Sequence, residues 1–180
     1  RIKPDIVANG VSLYSPGWNN AFEPNDPGYV PESNTSYCNL SGTSMACPSA
    51  AGSAAILIQL YRQLFPSQAM LGSTLKALII HTADDLGNAG PDYQYGWGLM
   101  NTKAAADLII AHHAQPLALK IFESDLGGPS DTHNYTFIWD GQSDVKVTLC
   151  WTDLAGSSTL SLNDPSPRLI RDMDIRILDA

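Results

Sequence analysis

The chain has 180 residues, 44% of them hydrophobic and 16% charged, enough for one domain or two small ones and too apolar for a disordered polypeptide. Ten Lys and Arg stand against eighteen Asp and Glu, a net charge of -8, which argues against nucleic acid and anionic membrane as primary partners because both demand a basic face. No apolar run approaches the roughly 20 residues of a membrane-spanning helix, and three cysteines without zinc spacing neither all pair nor reveal a redox compartment.

The first residues are Arg1-Ile2-Lys3-Pro4, with no initiator methionine or leader, and the last lie in a strand-like alternation, so the expectation is a piece of a longer polypeptide. Ile6-Val7-Ala8 and Val11-Ser12-Leu13-Tyr14 read as short β runs divided by an Asn9-Gly10 turn. Residues 16–36 are rich in Pro, Gly and Asn, with Trp18, Phe22 and Tyr29 among them. Two readings stand for them: a long loop lining a cleft, or an insertion with no role.

Residues 44–64 are apolar nearly all round and small in the first half, which predicts a buried helix rather than a one-faced one, ended by Pro66-Ser67. A second helix is predicted from about Ser67 to Thr82, on the spacing of Leu71, Leu75, Leu78 and Ile79, and a third over Asn101–Ala111. Beyond about Pro116 the period becomes two. Leu117–Phe122, Asn134–Trp139, Asp144–Trp151 and Asp174–Leu178 predict strands of an antiparallel β module, sandwich-like or barrel-like. The predicted division falls near residues 112–116, giving units 1–113 and 114–180.

The chemistry concentrates in Asn39-Leu40-Ser41-Gly42-Thr43-Ser44-Met45-Ala46-Cys47-Pro48-Ser49-Ala50-Ala51-Gly52. A serine stands where a glycine-containing turn meets a long helix. First-turn N–H groups have no intrahelical acceptors and carry partial positive charge, so the Ser44 amide is suited to an oxyanion forming on an attacked carbonyl. Gly42, lacking a side chain, would let substrate backbone approach, and Pro48 is read as a first-turn residue. A serine at a helix start can also be a simple N-cap. Cys47, one turn on, is read as a small buried apolar residue.

Gly-Thr-Ser-Met-Ala-x-Pro followed by Ala-Gly resembles the nucleophile segment of subtilisin-like serine proteases, the subtilases. It is not the Gly-x-Ser-x-Gly elbow of α/β-hydrolases, since Ala46 replaces the last glycine. Upstream, Lys3-Pro4-Asp5-Ile6-Val7-Ala8-Asn9-Gly10 is similar to the family's Lys-Pro-Asp-x-x-Ala-Pro-Gly, with Asn9 in place of proline; Ser49 stands where many members carry a non-catalytic histidine. Downstream, Gly96-Trp97-Gly98-Leu99-Met100-Asn101 resembles its Gly-x-Gly-x-x-Asn stretch. The trailing Val147–Asp153, Leu162-Asn163-Asp164 and Arg171–Arg176 are similar to the C-terminal β-barrel or jelly-roll module of the KP-43-like branch, with Arg171 replacing an asparagine.

The resemblance implies an α/β fold, the C-terminal part of a parallel-sheet catalytic domain over 1–113, followed by an incomplete all-β jelly-roll or sandwich-like module over 114–180. It implies a secreted endopeptidase acting on proteins or peptides, with Ser44 as nucleophile, its N–H as one oxyanion donor, and Gly42 and Thr43 beside the substrate. Members of the family run Asp, His, Ser along the chain. All four histidines here, His81, His112, His113 and His133, follow Ser44, so the acid, the base and the second oxyanion donor, an asparagine, are expected upstream of Arg1. The 180 residues alone are then expected to be inactive.

His81 is read instead as contacting its helix's last carbonyls, and the His112-His113 pair as a solvated face. No cofactor is required for the chemistry. Asp153, Asp164, Asp172 and Asp174 could offer oxygens to a structural calcium, but their spacing matches no calcium loop. Two other readings stay open: a degenerate homologue serving binding or adhesion, and an esterase using Ser44.

Overall fold

The structure, a computed structural model, describes residues 2–16, 37–115, 120–128, 131–158 and 160–178. All but the first residue of the predicted 16–36 loop, and half of the predicted Leu117–Phe122 strand, lie outside the described residues. Among the described residues are two strands and three helices: β1 (Leu13–Pro16), β2 (Tyr37–Leu40), α1 (Thr43–Leu64), α2 (Gly72–His81) and α3 (Thr102–Ala114). β1 and β2 run antiparallel, with Leu13 opposite Leu40 and Pro16 opposite Tyr37. No helix among the described residues is long and apolar enough to cross a membrane.

Each helix is bounded by identifiable chemistry. The extended Gly42 precedes α1, and the Phe65 amide closes its end by donating to the Tyr61 carbonyl at 2.8 Å, just before Pro66. Asn101 caps α3: its side-chain oxygen accepts the Ala104 amide at 2.9 Å, while its Nδ2 donates to both Asp84 carboxylate oxygens at 3.1 Å. α2 has no acid in its first turn. Glu123 supplies one from far along the chain, accepting the Thr74 hydroxyl and, at 3.4 Å, the Leu71 amide.

The three helices meet around Leu57, Tyr61, Leu78, Ala105 and Ile109, with Leu75, Ile79 and Ile121 packed against them. Leu57 and Ile109 are wholly buried, each contributing about 1.5–3 kcal/mol of hydrophobic free energy. A second junction forms where residues 5–7 meet residues 97–100. The Val7 amide donates to the Gly98 carbonyl (3.0 Å), the Met100 amide to the Val7 carbonyl (2.9 Å) and the Trp97 amide to the Asp5 carbonyl (2.9 Å). Asp84 joins through both backbone bonds to Leu99. Gly98 has φ 116°, and a side chain there would start 2.1 Å from the Asp84 carbonyl oxygen; only glycine fits this crossing.

Several expectations are corrected. α1 is not buried all round: Leu57 is covered, but Ile56 is 60% exposed and Ala51, Gly52 and Ala55 are exposed as well. Its apolar pattern calls for cover on more than one side, and α2 and α3 cover one. The second helix begins at Gly72 instead of Ser67, because residues 66–67 form a turn, with the Gln68 amide bonded to Phe65. The third runs on to Ala114.

Near the start of the chain, Val7 makes a single parallel bridge to Leu99, and the strand begins at Leu13, two residues later than expected. No larger parallel sheet forms among the described residues. Beyond Ala114 the described residues include no strand, so the predicted β module is not shown by them. Side chains that strand pairing would cover stay open, Ile138 completely so.

Candidate active site

Gly42 is the N-cap of α1, with φ 156° and ψ 172°, a backbone region that only glycine enters readily. Its carbonyl accepts the amides of Met45 (3.0 Å) and Ala46 (3.2 Å), and its own amide donates to the Gly10 carbonyl at 2.7 Å. Thr43 and Ser44 are thus the first and second helical residues, and Ser44 is not the cap. With Met45 and Ala46 satisfied, the first-turn amides of Thr43 and Ser44 are the two without an acceptor among the described residues. No acid in that turn competes for them.

Gly42, Thr43 and Ser44 are all exposed. The helix therefore presents a hydroxyl and two open amides at its positive end, an arrangement able to receive a carbonyl and hold the negative charge that develops on its oxygen. The adjoining backbone is held by β1 and β2 and by the Ser12 amide, which donates to the Ser41 hydroxyl at 2.8 Å.

Pro48 is the sixth residue of α1, beyond the first turn in which it was expected. Ser49 bends its hydroxyl back onto the Met45 carbonyl at 3.1 Å. Cys47 is exposed, against the expectation of a buried thiol, because the side of α1 that carries it has no covering layer. Cys150 is half-buried, and burial raises its thiol pKa.

The histidines are occupied elsewhere. His81 ends α2, but its ring does not cap carbonyls: Nδ1 lies 2.9 Å from the Thr148 hydroxyl, and its own carbonyl accepts the Lys146 ammonium. Burial, and then the Lys146 charge, lowers the pKa of the ring. His112 is half-buried against Phe65, with Nδ1 lacking a partner among the described residues, so it is not on a solvated face; His113 meets the same Phe65 ring edge-on from an exposed position. His133 Nδ1 lies 2.9 Å from the Ser124 hydroxyl.

Among the acids considered for calcium, Asp153 accepts the amides of Leu154, Ile170 and Arg171, and Asp164 pairs with Arg168. Asp174 lies 3.7 Å from Arg176. The described residues include no group of three or more His, Cys, Asp or Glu side chains placed to hold a metal ion.

Sequence reasoning quoted Gly10 and Ser41 within motifs but missed their structural part: one accepts from Gly42, the other from Ser12. Gly42 stands in the turn itself, but no signal in the sequence brings Gly10 beside it.

Comparison with known proteins places this geometry. The chain is 43% identical over 72 residues to an extracellular serine protease of Serratia marcescens, covering 40% of this chain and 6% of that protein. It is 36% identical over 102 residues to subtilisin DY of Bacillus licheniformis, covering 57% of this chain and 28% of that one. Similarity to the serine protease/ABC transporter B family protein tagA of Dictyostelium discoideum runs over 99% of this chain at 26% identity and takes up 11% of that protein. The chain thus spans well under a third of each of these relatives. The family model described as the Subtilase family, Peptidase_S8, matches residues 1–98, more than half of the sequence and the whole Gly42–Ser44 turn with its supports: the chain belongs to the subtilase family.

Proposed function

We propose that this chain is the nucleophile-bearing part of a secreted serine endopeptidase, with Ser44 attacking the substrate. One observation carries the reading: within a Gly-Thr-Ser-Met-Ala-x-Pro segment, Ser44 is exposed at the second position of α1, and its own amide has no acceptor among the described residues. Ser44 Oγ adds to the peptide carbonyl while a histidine takes its proton. The Ser44 amide and an asparagine amide hold the resulting oxyanion. The tetrahedral species collapses to a Ser44 ester as the histidine returns the proton to the departing amine, and water then hydrolyses the ester by the same route. Loss of one oxyanion donor costs about 3 kcal/mol of transition-state stabilisation.

The base, the aspartate that orients it and the asparagine belong upstream of Arg1 in this reading, since no histidine precedes Ser44. Gly42 and Thr43 lie beside the substrate backbone. The substrates are proteins or peptides; a net charge of -8 offers no basic face for nucleic acid or anionic membrane. Secretion is supported by the extracellular Serratia relative. Residues 1–113 form the end of the peptidase domain and 114–180 the start of a β accessory module like that of the KP-43-like branch, supported by the period-two segments and by a relative aligned across nearly the whole chain.

The test uses the full-length polypeptide and a casein or peptide anilide substrate. Ser44→Ala is expected to abolish turnover and covalent labelling by a peptidyl chloromethyl ketone. Turnover unaffected by that substitution overturns the reading. An intact polypeptide that neither turns over substrate nor labels is the degenerate homologue instead, and hydrolysis confined to short esters marks an esterase. The 180 residues alone are expected to cleave neither substrate.

A further inference from the structure

We propose that Gly10 is a positioning residue for the Ser44 nucleophile, an inference that rests on the reading of Ser44 given above. Gly10 touches the reactive turn twice over. Its carbonyl accepts the Gly42 amide at 2.7 Å, the shortest of the backbone bonds around the start of α1. Its Cα faces the other side of the same turn: a β-carbon built there would lie 2.6 Å from the Gly42 carbonyl oxygen, 2.9 Å from the Ala46 β-carbon and 3.1 Å from the Ala46 nitrogen. Those atoms include both ends of the 3.2 Å bond that closes the first turn of α1. The φ of Gly10 lies outside the left-handed range, so this position needs room rather than an unusual dihedral.

The strap that carries Gly10 is anchored on both sides. Val7 is bonded to Gly98 and Met100, the Ser12 amide is held by the Ser41 hydroxyl at 2.8 Å, and β1 pairs with β2. With both flanks fixed, a methyl group at position 10 is relieved mainly by displacing the start of α1. That displacement carries the Ser44 hydroxyl and the Ser44 amide together, away from a base and a scissile carbonyl held by other parts of the protein. Misplacement of reacting groups by a fraction of an ångström to an ångström slows the chemical step without weakening substrate binding much.

The experiment compares Gly10→Ala, Ser41→Ala and Ser44→Ala with the wild type in the full-length polypeptide. The readouts are kcat and KM on a peptide anilide, the rate of covalent labelling by a fluorophosphonate per folded molecule, and the pH profile. Gly10→Ala is expected to lower kcat by about tenfold to a hundredfold, with KM and the base limb of the pH profile unchanged and labelling slowed in parallel. Ser41→Ala removes the acceptor of the Ser12 amide without adding volume and is expected to move the same quantities the same way by less.

Wild-type kcat and labelling rate in Gly10→Ala overturn the proposal. So does a loss of activity that only follows the folded fraction. If Gly10→Ala does not fold, Ser41→Ala decides: slowed labelling per folded molecule supports the strap, and an unchanged rate overturns it. Retention of turnover in Ser44→Ala is a separate outcome that removes the nucleophile reading itself.

Discussion

Pro48 stands four residues after Ser44 in α1 and has no N–H to offer the Ser44 carbonyl, so the helix omits its ordinary bond directly beneath the Ser44 hydroxyl. The turn is held from the other side, by the Gly42 carbonyl and by the Gly10 and Ser12 contacts. Replacing the proline is therefore expected to trade geometry for stability. Pro48→Ala restores one helical bond, a gain of about 1 kcal/mol, and draws the Ser44 peptide into the regular helix. Urea unfolding of the full-length protein should move to higher midpoint while kcat on a peptide anilide falls. An unchanged kcat with raised stability would show that the missing bond has no part in setting Ser44.

Gly42→Ala tests the cap itself. Space is not limiting, since the nearest atom to an added β-carbon is the Met45 sulfur at 3.9 Å. The backbone region is the obstacle, and holding alanine there costs about 1–3 kcal/mol. Lower stability together with lower kcat/KM is expected, because the methyl also projects where substrate backbone would approach. The check is an unfolding curve and steady-state kinetics on the same preparation.

Leu57→Ala probes the helical core. Leu57 is fully buried between α1 and α3, and truncating it is expected to cost about 2–5 kcal/mol. A loss below about 1 kcal/mol in denaturant titration would mean that the three-helix contact contributes little to the stability of the domain.

His81 supplies a pH dependence. Burial, and next the Lys146 ammonium, depresses its pKa in the folded state, so on acidification the unfolded chain takes up the proton first. The stability tied to the neutral ring is complete above the ordinary value of about 6.5 and is lost as pH falls through the lower folded value. His81→Gln keeps a polar partner for Thr148 and cannot titrate. Denaturant curves at about pH 7, 6 and 5 should therefore fall less steeply with acidification in the variant than in the wild type. His112, depressed chiefly by burial, leaves the variant some residual dependence of the same sign.

The three helices and the turn that precedes α1 were legible in the sequence for local reasons. The apolar run after Gly42, small in its first half, identifies α1, and Pro66 closes it. The third helix was legible over Asn101–Ala111, with Asn101 found in the structure as its cap. The start of α2 was placed too early because the spacing of Leu71, Leu75, Leu78 and Ile79 sets a period but no boundary, and the acid for its first turn comes from Glu123, a partner that local patterns do not reveal. The exposure of Ile56 and Cys47 depends on which layers lie beside α1, a tertiary matter that an apolar pattern does not encode. The crossing of Gly98 over Asp84 was likewise visible only as a Gly-x-Gly motif; its reason is the 2.1 Å gap found in three dimensions.

The bonds joining Val7 to Gly98 and Met100 link residues more than ninety positions apart, and long-range contacts of this kind form late because chain closure must precede them. The Val7 side of the strap is therefore expected to be fixed only once the segment around Met100 has been made. A full-length chain truncated after residue 95 is expected to leave Ser44 insensitive to fluorophosphonate, whereas one ending after α3 should regain at least partial sensitivity. With Ser44 as the nucleophile proposed above, such an order would tie the onset of peptide-bond cleavage to completion of that segment.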